Sequence, residues 1–127
     1  MNSKIVMYAS SILLAAAGII LIFLPQETAA IFEANSSSYI HFQILGSLYL
    51  GFSMINWNVK DNIIGGIYGR PIVAGNLAHF LTGAFSLIKL LFINQTQIII
   101  YSTAIYTIFA ISFMYLFFTH PKTKLNL

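Results

Sequence analysis

The chain has 127 residues, 58% hydrophobic and 7% charged, with a mean hydropathy of +0.84, which is more apolar surface than a small soluble domain can bury. Its net charge of +3 is six Lys and Arg against three Asp and Glu, and the six are spread over the whole length, so they make no basic patch and argue against nucleic acid as a partner. The absence of cysteine excludes disulfides, thiolate metal sites and cysteine nucleophiles, and a single domain of this size leaves little room for an elaborate water-filled active site.

Four apolar stretches follow one another, at 5–24, 39–57, 71–93 and 98–119. Each is about 18 to 23 residues, the length a helix needs to cross the hydrocarbon of a bilayer. The first could be mistaken for a signal peptide, with Lys4 ahead of it and Thr28-Ala29-Ala30 after it. Its apolar core is too long for that, and with Met1 in place the segment is expected to be retained. The fourth opens on Ile98-Ile99-Ile100, a run that favours a strand in water, but backbone satisfaction in lipid demands a helix.

The connections carry the orientation. Lys4, Lys60, Arg70, Lys122 and Lys124 fall on one side, whereas the other has Glu27, Glu33, the turn Asn94-Gln95-Thr96 and only Lys89, one turn inside the membrane end. The positive-inside rule then puts both termini in the cytoplasm. The connection 25–38 reads as the longest outer loop, with Asn35-Ser36-Ser37-Ser38 as a turn capping the second helix. On the inner side the segment between Asn58 and Pro71 alternates Ile63, Ile64, Ile67 and Tyr68 with three glycines and reads as interfacial, with Arg70 held extended and Pro71 in the first turn of the third helix. Its GGxxG spacing lacks the preceding strand and following Lys-Ser/Thr of a phosphate cradle.

Polar residues inside the spans should face the bundle interior or another protein, because lipid penalises them. On the third helix Asn76, His79, Thr82 or Gly83, Ser86 and Lys89 recur at intervals of three and four; on the second, Gln43, Gly46, Tyr49, Ser53 and Asn56 do the same. The two stripes are expected to meet. Matching depth along antiparallel helices pairs His79 with Tyr49, Asn76 with Ser53 and Ser86 with Gln43. Gly46 and Gly51, Gly75 and Gly83, and Ser11, Ala15 and Gly18 on the first helix would let backbones approach closely. Hydrogen bonding between helices is the commoner role for such a seam. The alternative is a polar pocket centred on His79 that binds or transports a small molecule, a quinone-like headgroup or a proton, with Asn76, Tyr49 and Gln43 around it. A third reading has Arg70 holding an anionic lipid or quinone headgroup at the inner interface.

Sharper chemistries fail on placement. Haem ligation by His41 and His79 needs two imidazoles at one depth, and these are about 12 Å apart or more along the membrane normal. No Asp or Glu lies within any span, which removes the carboxylates that a metal hydrolase or a carboxylate-driven exporter needs, and no motif holds a serine in a triad. No catalytic residue, metal site or resident cofactor is therefore expected, quinone or lipid being the ligands left open. The aromatics of the fourth helix, among them Tyr101, Tyr106, Phe109 and Phe113, point in nearly all directions and meet either lipid or a partner.

The stretch QILGSLYLGFSMINW from Gln43 to Trp57, followed by Gly69-Arg70-Pro71 and Gly75-Asn76-Leu77-Ala78-His79, resembles the small four-helix membrane proteins called DoxX-like. The resemblance covers the middle two helices. It implies an antiparallel four-helix bundle, in a family whose named members include small subunits associated with quinone-linked oxidation, and it supplies no active-site residue. Richness in Ile, Asn, Phe and Lys suggests a bacterium of low genomic GC content. The expectation is an all-α polytopic membrane protein of one domain, an antiparallel bundle of four transmembrane helices with both termini inside. It would sit in a bacterial inner membrane as a non-catalytic accessory or packing subunit, in contact with lipids and with other membrane subunits or copies of itself.

Overall fold

The structure, a computed structural model, describes residues 2–61 and 69–119. The described residues hold five α-helices and no strand: α1 (Ser3–Phe23), α2 (Pro25–Ile31), α3 (Tyr39–Val59), α4 (Gly69–Leu91) and α5 (Gln97–Phe118), with one 3-10 turn at Ser36–Ser38. Three of them, α1, α4 and α5, are long and apolar enough to cross a membrane. The fourth expected span, α3, has 21 residues, but His41, Gln43, Asn56 and Asn58 dilute its apolar character. Residues 62–68 of the segment expected to lie at the interface, and residues 120–127 with Lys122 and Lys124, lie outside the described residues.

Helix ends differ from the sequence expectation by one or two residues, and two local readings change. The connection 25–38 is not a plain loop. Leu24 leaves the helical path (φ −123°, ψ 49°), Pro25 presets the first turn of α2, and the Thr28 hydroxyl and amide both bond the Leu24 carbonyl, at 2.8 and 3.0 Å. The chain then leaves α2 through Glu33 at φ +52°, with Ala34 N bonded to Ala29 O and Glu33 N to Ala30 O. That is the left-handed helix stop usually made by glycine. The serine run is a 3-10 turn running into α3, and neither Asn35 nor Ser38 caps through its side chain. Arg70, expected extended, is helical. The clash between a proline ring and the residue before it raises the cost of the α region without closing it, and a helical Arg70 gains the backbone bond of the following turn.

The chain forms two compact units. Met7–Asp61 is one, and its centre is the antiparallel pair α1–α3. The Ser11 hydroxyl donates to the Ser53 carbonyl oxygen at 2.9 Å and the Ser53 hydroxyl donates to the Ser11 carbonyl oxygen at 2.8 Å. Asn56 Nδ2 donates to Ser10 Oγ at 3.0 Å, which in turn donates to Met7 O at 3.0 Å. Seven residues along, Gly18 and Gly46 face each other so closely that a Cβ on either would stand 2.8 Å from the other's carbonyl oxygen. Each helix thus offers a small residue with a seven-residue interval, Ser11 then Gly18 and Gly46 then Ser53. That heptad interval keeps one seam in contact along two packed helices, and small residues let their backbones meet.

The pair is closed at both ends. Gln43 Nε2 donates to Ile22 O at 3.4 Å, beside the stacked rings of Phe32 and Phe42. At the other end the Tyr8 and Trp57 rings lie 5.5 Å apart, and Lys60 Nζ sits 4.1 Å over the Trp57 ring while donating to Trp57 O at 3.1 Å and pairing with Asp61 at 3.4 Å. An ammonium on an indole face at a helix C-terminus gains from the ring quadrupole and from the helix dipole together.

The other unit contains described residues 2–6 and 69–119 and is built on the hairpin α4–α5. On α4 Val73, Asn76, Phe80 and Ala84 make one buried face, and on α5 Ile99, Thr103, Ala110, Phe113 and Leu116 make another. Phe80 stacks on Phe109 at 4.9 Å and on Phe113 at 5.5 Å. Such contacts contribute roughly 0.5 to 1.5 kcal/mol each beyond the area they bury.

Two glycines of α3, the buried Gly46 and the exposed Gly51, separate packing from propensity. Gly46→Ala should destabilise the α1–α3 pair by about 1 to 3 kcal/mol, because the new methyl meets backbone. Gly51, around which a Cβ would meet nothing within 4 Å, should tolerate alanine and gain about 0.5 to 1 kcal/mol of helix stability. Equilibrium unfolding of both variants in mixed micelles reads the contrast, and equal behaviour would overturn the close approach.

Candidate functional site

The residue types that carry chemistry in this chain are few, and His79 is the central one. It lies on α4 in mid-span and is half-buried. Its Nε2 is 3.4 Å from the Tyr106 hydroxyl of α5, a long contact whose direction depends on the imidazole tautomer. Its ring meets Phe80 edge-on at 4.9 Å and Tyr106 at 5.6 Å.

Tyr106 reaches His79 because α4 has a gap for it. Gly83 lies one turn beyond His79, and a Cβ there would stand 2.5 Å from Tyr106 Cε1 and 2.6 Å from Cδ1. The phenol ring therefore lies across the bare backbone of α4, with Phe80 set edge-on to it at 5.3 Å. A glycine in mid-helix costs about 1 kcal/mol relative to alanine, and here that cost places one hydroxyl beside one imidazole.

The other expected site residues have these positions. Asn76, fully buried on α4, donates from Nδ2 to Ile72 O of its own helix at 2.9 Å. Arg70 is exposed in the first described turn of α4. Tyr49 and Gln43 belong to the Met7–Asp61 unit, where Tyr49 is half-buried and Gln43 is exposed with its amide on Ile22 O. The pairings counted from depth, His79 with Tyr49, Asn76 with Ser53 and Ser86 with Gln43, run from one unit to the other. Inside the units, His79 meets Tyr106, Ser53 bonds Ser11 and Asn56 bonds Ser10.

Tyr106 was not singled out by sequence, since it was one of many aromatics on α5. A countable signal existed. The hairpin turn at 92–96 folds α5 back along α4, which brings the region of Tyr106 alongside Gly83 and leaves an aromatic opposite a glycine. Four other hydroxyls of α4 and α5 bond back to their own helices: Thr82 to Ala78 O at 2.7 Å, Ser86 to Thr82 O at 3.0 Å, Thr103 to Ile99 O and Thr107 to Thr103 O, both at 2.7 Å. Among the described residues every buried side-chain nitrogen and oxygen has a hydrogen-bond partner.

Chemically, an imidazole and a phenol at this distance can share a proton or bind one ligand that both accepts and donates. The rings around them are packed, with Phe80 and Phe113 fully buried. Tyr106→Phe, which removes only the hydroxyl, should cost no more than about 1 kcal/mol. Gly83→Ala should cost about 1 to 3 kcal/mol, because a whole ring has to move. Unfolding midpoints of the two variants in micelles check the order, and a Tyr106→Phe loss larger than that of Gly83→Ala would reverse it. The chain matches no protein-family model, no curated protein and no solved structure with which it was compared.

Proposed function

We propose that the chain is a four-span membrane protein of a bacterial inner membrane, with both termini cytoplasmic, acting as a non-catalytic accessory or packing subunit of a membrane complex or homo-oligomer. The observation that carries this reading is where the polar groups go. Among the described residues the buried ones are engaged in hydrogen bonds, while large apolar side chains such as Ile105, Ile108, Ile111 and Met114 cover the outside of α5. A surface of that kind suits lipid or another membrane helix.

Counting α3 as a span rests on its pairing. It lies along α1 from the Tyr8–Trp57 contact at one end to the Ile22–Gln43 contact at the other, so a bilayer crossed by α1 is crossed by α3. Its Gln43, Ser53 and Asn56 then sit where α1 satisfies them. The orientation is supported by the distribution of Lys and Arg among the connections, and the DoxX-like relationship by the residues of the middle two helices. Gentle detergent extraction followed by native mass measurement should give a particle heavier than one 14.1 kDa chain. A strictly monomeric particle without a partner overturns the subunit reading.

A second reading is favoured by the placement of Tyr106. A His-Tyr pair in mid-span, for which α4 gives up a side chain at Gly83, is an arrangement that a proton path or a quinone-like headgroup could use. The site would draw on Asn76 of the same helix, with Arg70 at the inner interface. In that case His79→Ala abolishes transport or ligand retention in reconstituted vesicles while membrane insertion persists. Unchanged activity removes this reading and leaves the pair as packing.

A further inference from the structure

The two most exposed large apolar side chains among the described residues, Phe92 and Ile93, each 84% exposed, stand together at the tip of the α4–α5 hairpin. A water-facing helix connection is ordinarily polar, so an adjacent pair of this size there calls for an apolar neighbour. The lengths of the helices identify it. With 23 and 22 residues, α4 and α5 run about 33 to 35 Å at 1.5 Å per residue, slightly more than the roughly 30 Å of hydrocarbon in a bilayer. Their connection therefore falls where acyl chains give way to headgroups.

Three features of the tip match that boundary. The amides of Ile93 and Asn94 both bond the Leu90 carbonyl, at 3.0 and 2.8 Å, so this part of the turn needs no water for its backbone. Beyond the apolar pair come Asn94, Gln95 and Thr96, all exposed, which marks a sharp change from apolar to polar. Lys89, exposed in the last turn of α4, brings an ammonium to the same level at the negative end of the helix dipole, on a stem long enough to lie along apolar surface. The apolar tip also continues into the exposed flank of α5 through Tyr101, Ile105 and Ile108.

We propose that the tip is a phospholipid-binding wedge, in which Phe92 and Ile93 enter the headgroup–acyl boundary and the Lys89 ammonium takes the phosphate of a lipid in that leaflet. The wedge rests on the membrane reading, and its test separates the two. The chain has no cysteine, so the single variants Phe92→Cys, Ile93→Cys, Asn94→Cys, Gln95→Cys and Ile108→Cys each carry one spin label, in vesicles of phosphatidylcholine with phosphatidylglycerol. Oxygen, which partitions into lipid, and a water-soluble nickel chelate serve as relaxing agents.

The expected result is oxygen-dominated relaxation at 92 and 93, nickel-dominated relaxation at 94 and 95, and a deep lipid signal at 108. Adding Lys89→Ala should shift the label at 92 toward the nickel agent. Relaxation at 92 and 93 like that at 95, with 108 still in lipid, overturns the wedge and leaves the membrane reading standing. Labels at 92 and 93 shielded from both agents mean that a protein covers the tip, which also overturns the wedge. Nickel access at 108 overturns the membrane reading and the wedge with it.

Discussion

The exchange between Ser11 and Ser53, in which each hydroxyl donates to the backbone carbonyl of the other residue, is the contact on which the Met7–Asp61 unit depends. A hydroxyl that bonds a facing backbone can do so only if the two helices are close, and Gly18 against Gly46 is what permits that closeness. The hydrogen bonds are modest individually, about 0.6 kcal/mol on average between membrane helices. Their effect is on register. A slip of α3 by one residue would break both serine bonds, move Asn56 from Ser10, and push a side chain into the place of a glycine.

The α4–α5 hairpin solves the same problem by other means. Its Thr82, Ser86, Thr103 and Thr107 hydroxyls turn back on their own helices, so they contribute little to pairing, and contact between the helices rests largely on stacked rings. Phe80 is at the centre, with Phe109 and Phe113 on one side and His79 and Tyr106 at its edges. Polar groups kept within a helix need no partner across an interface. Both seams refuse a larger residue, at Gly83 in one and at Gly18 and Gly46 in the other.

These two solutions are what the proposed packing role rests on. Its buried polar groups are already engaged, and its outer surface is apolar over most of α5 and at the end of α4. His79 and Tyr106 stand apart because the contact between them is long and is bought with a mid-helix glycine. Shape alone would not require a hydroxyl there, since phenylalanine would fill the same space.

By itself the sequence determined that the chain is helical, apolar and divided at about the right places, because period, length and the cost of unpaired backbone in lipid are local properties. It also located the small and polar residues, Ser11 and Gly18, Gly46 and Ser53, His79 and Gly83, on their helices. A stripe carries no address, however, and depth counting along it did not reveal that the Ser53 hydroxyl bonds Ser11 of α1. Nor did it reveal α2, which depends on a kink at Leu24–Pro25 and a left-handed Glu33 that composition does not announce. Only tertiary structure chose the partners, because partner choice depends on which surfaces approach within a few ångströms, and a pair of glycines seven residues from a pair of serines acquires that meaning only once the helices are side by side.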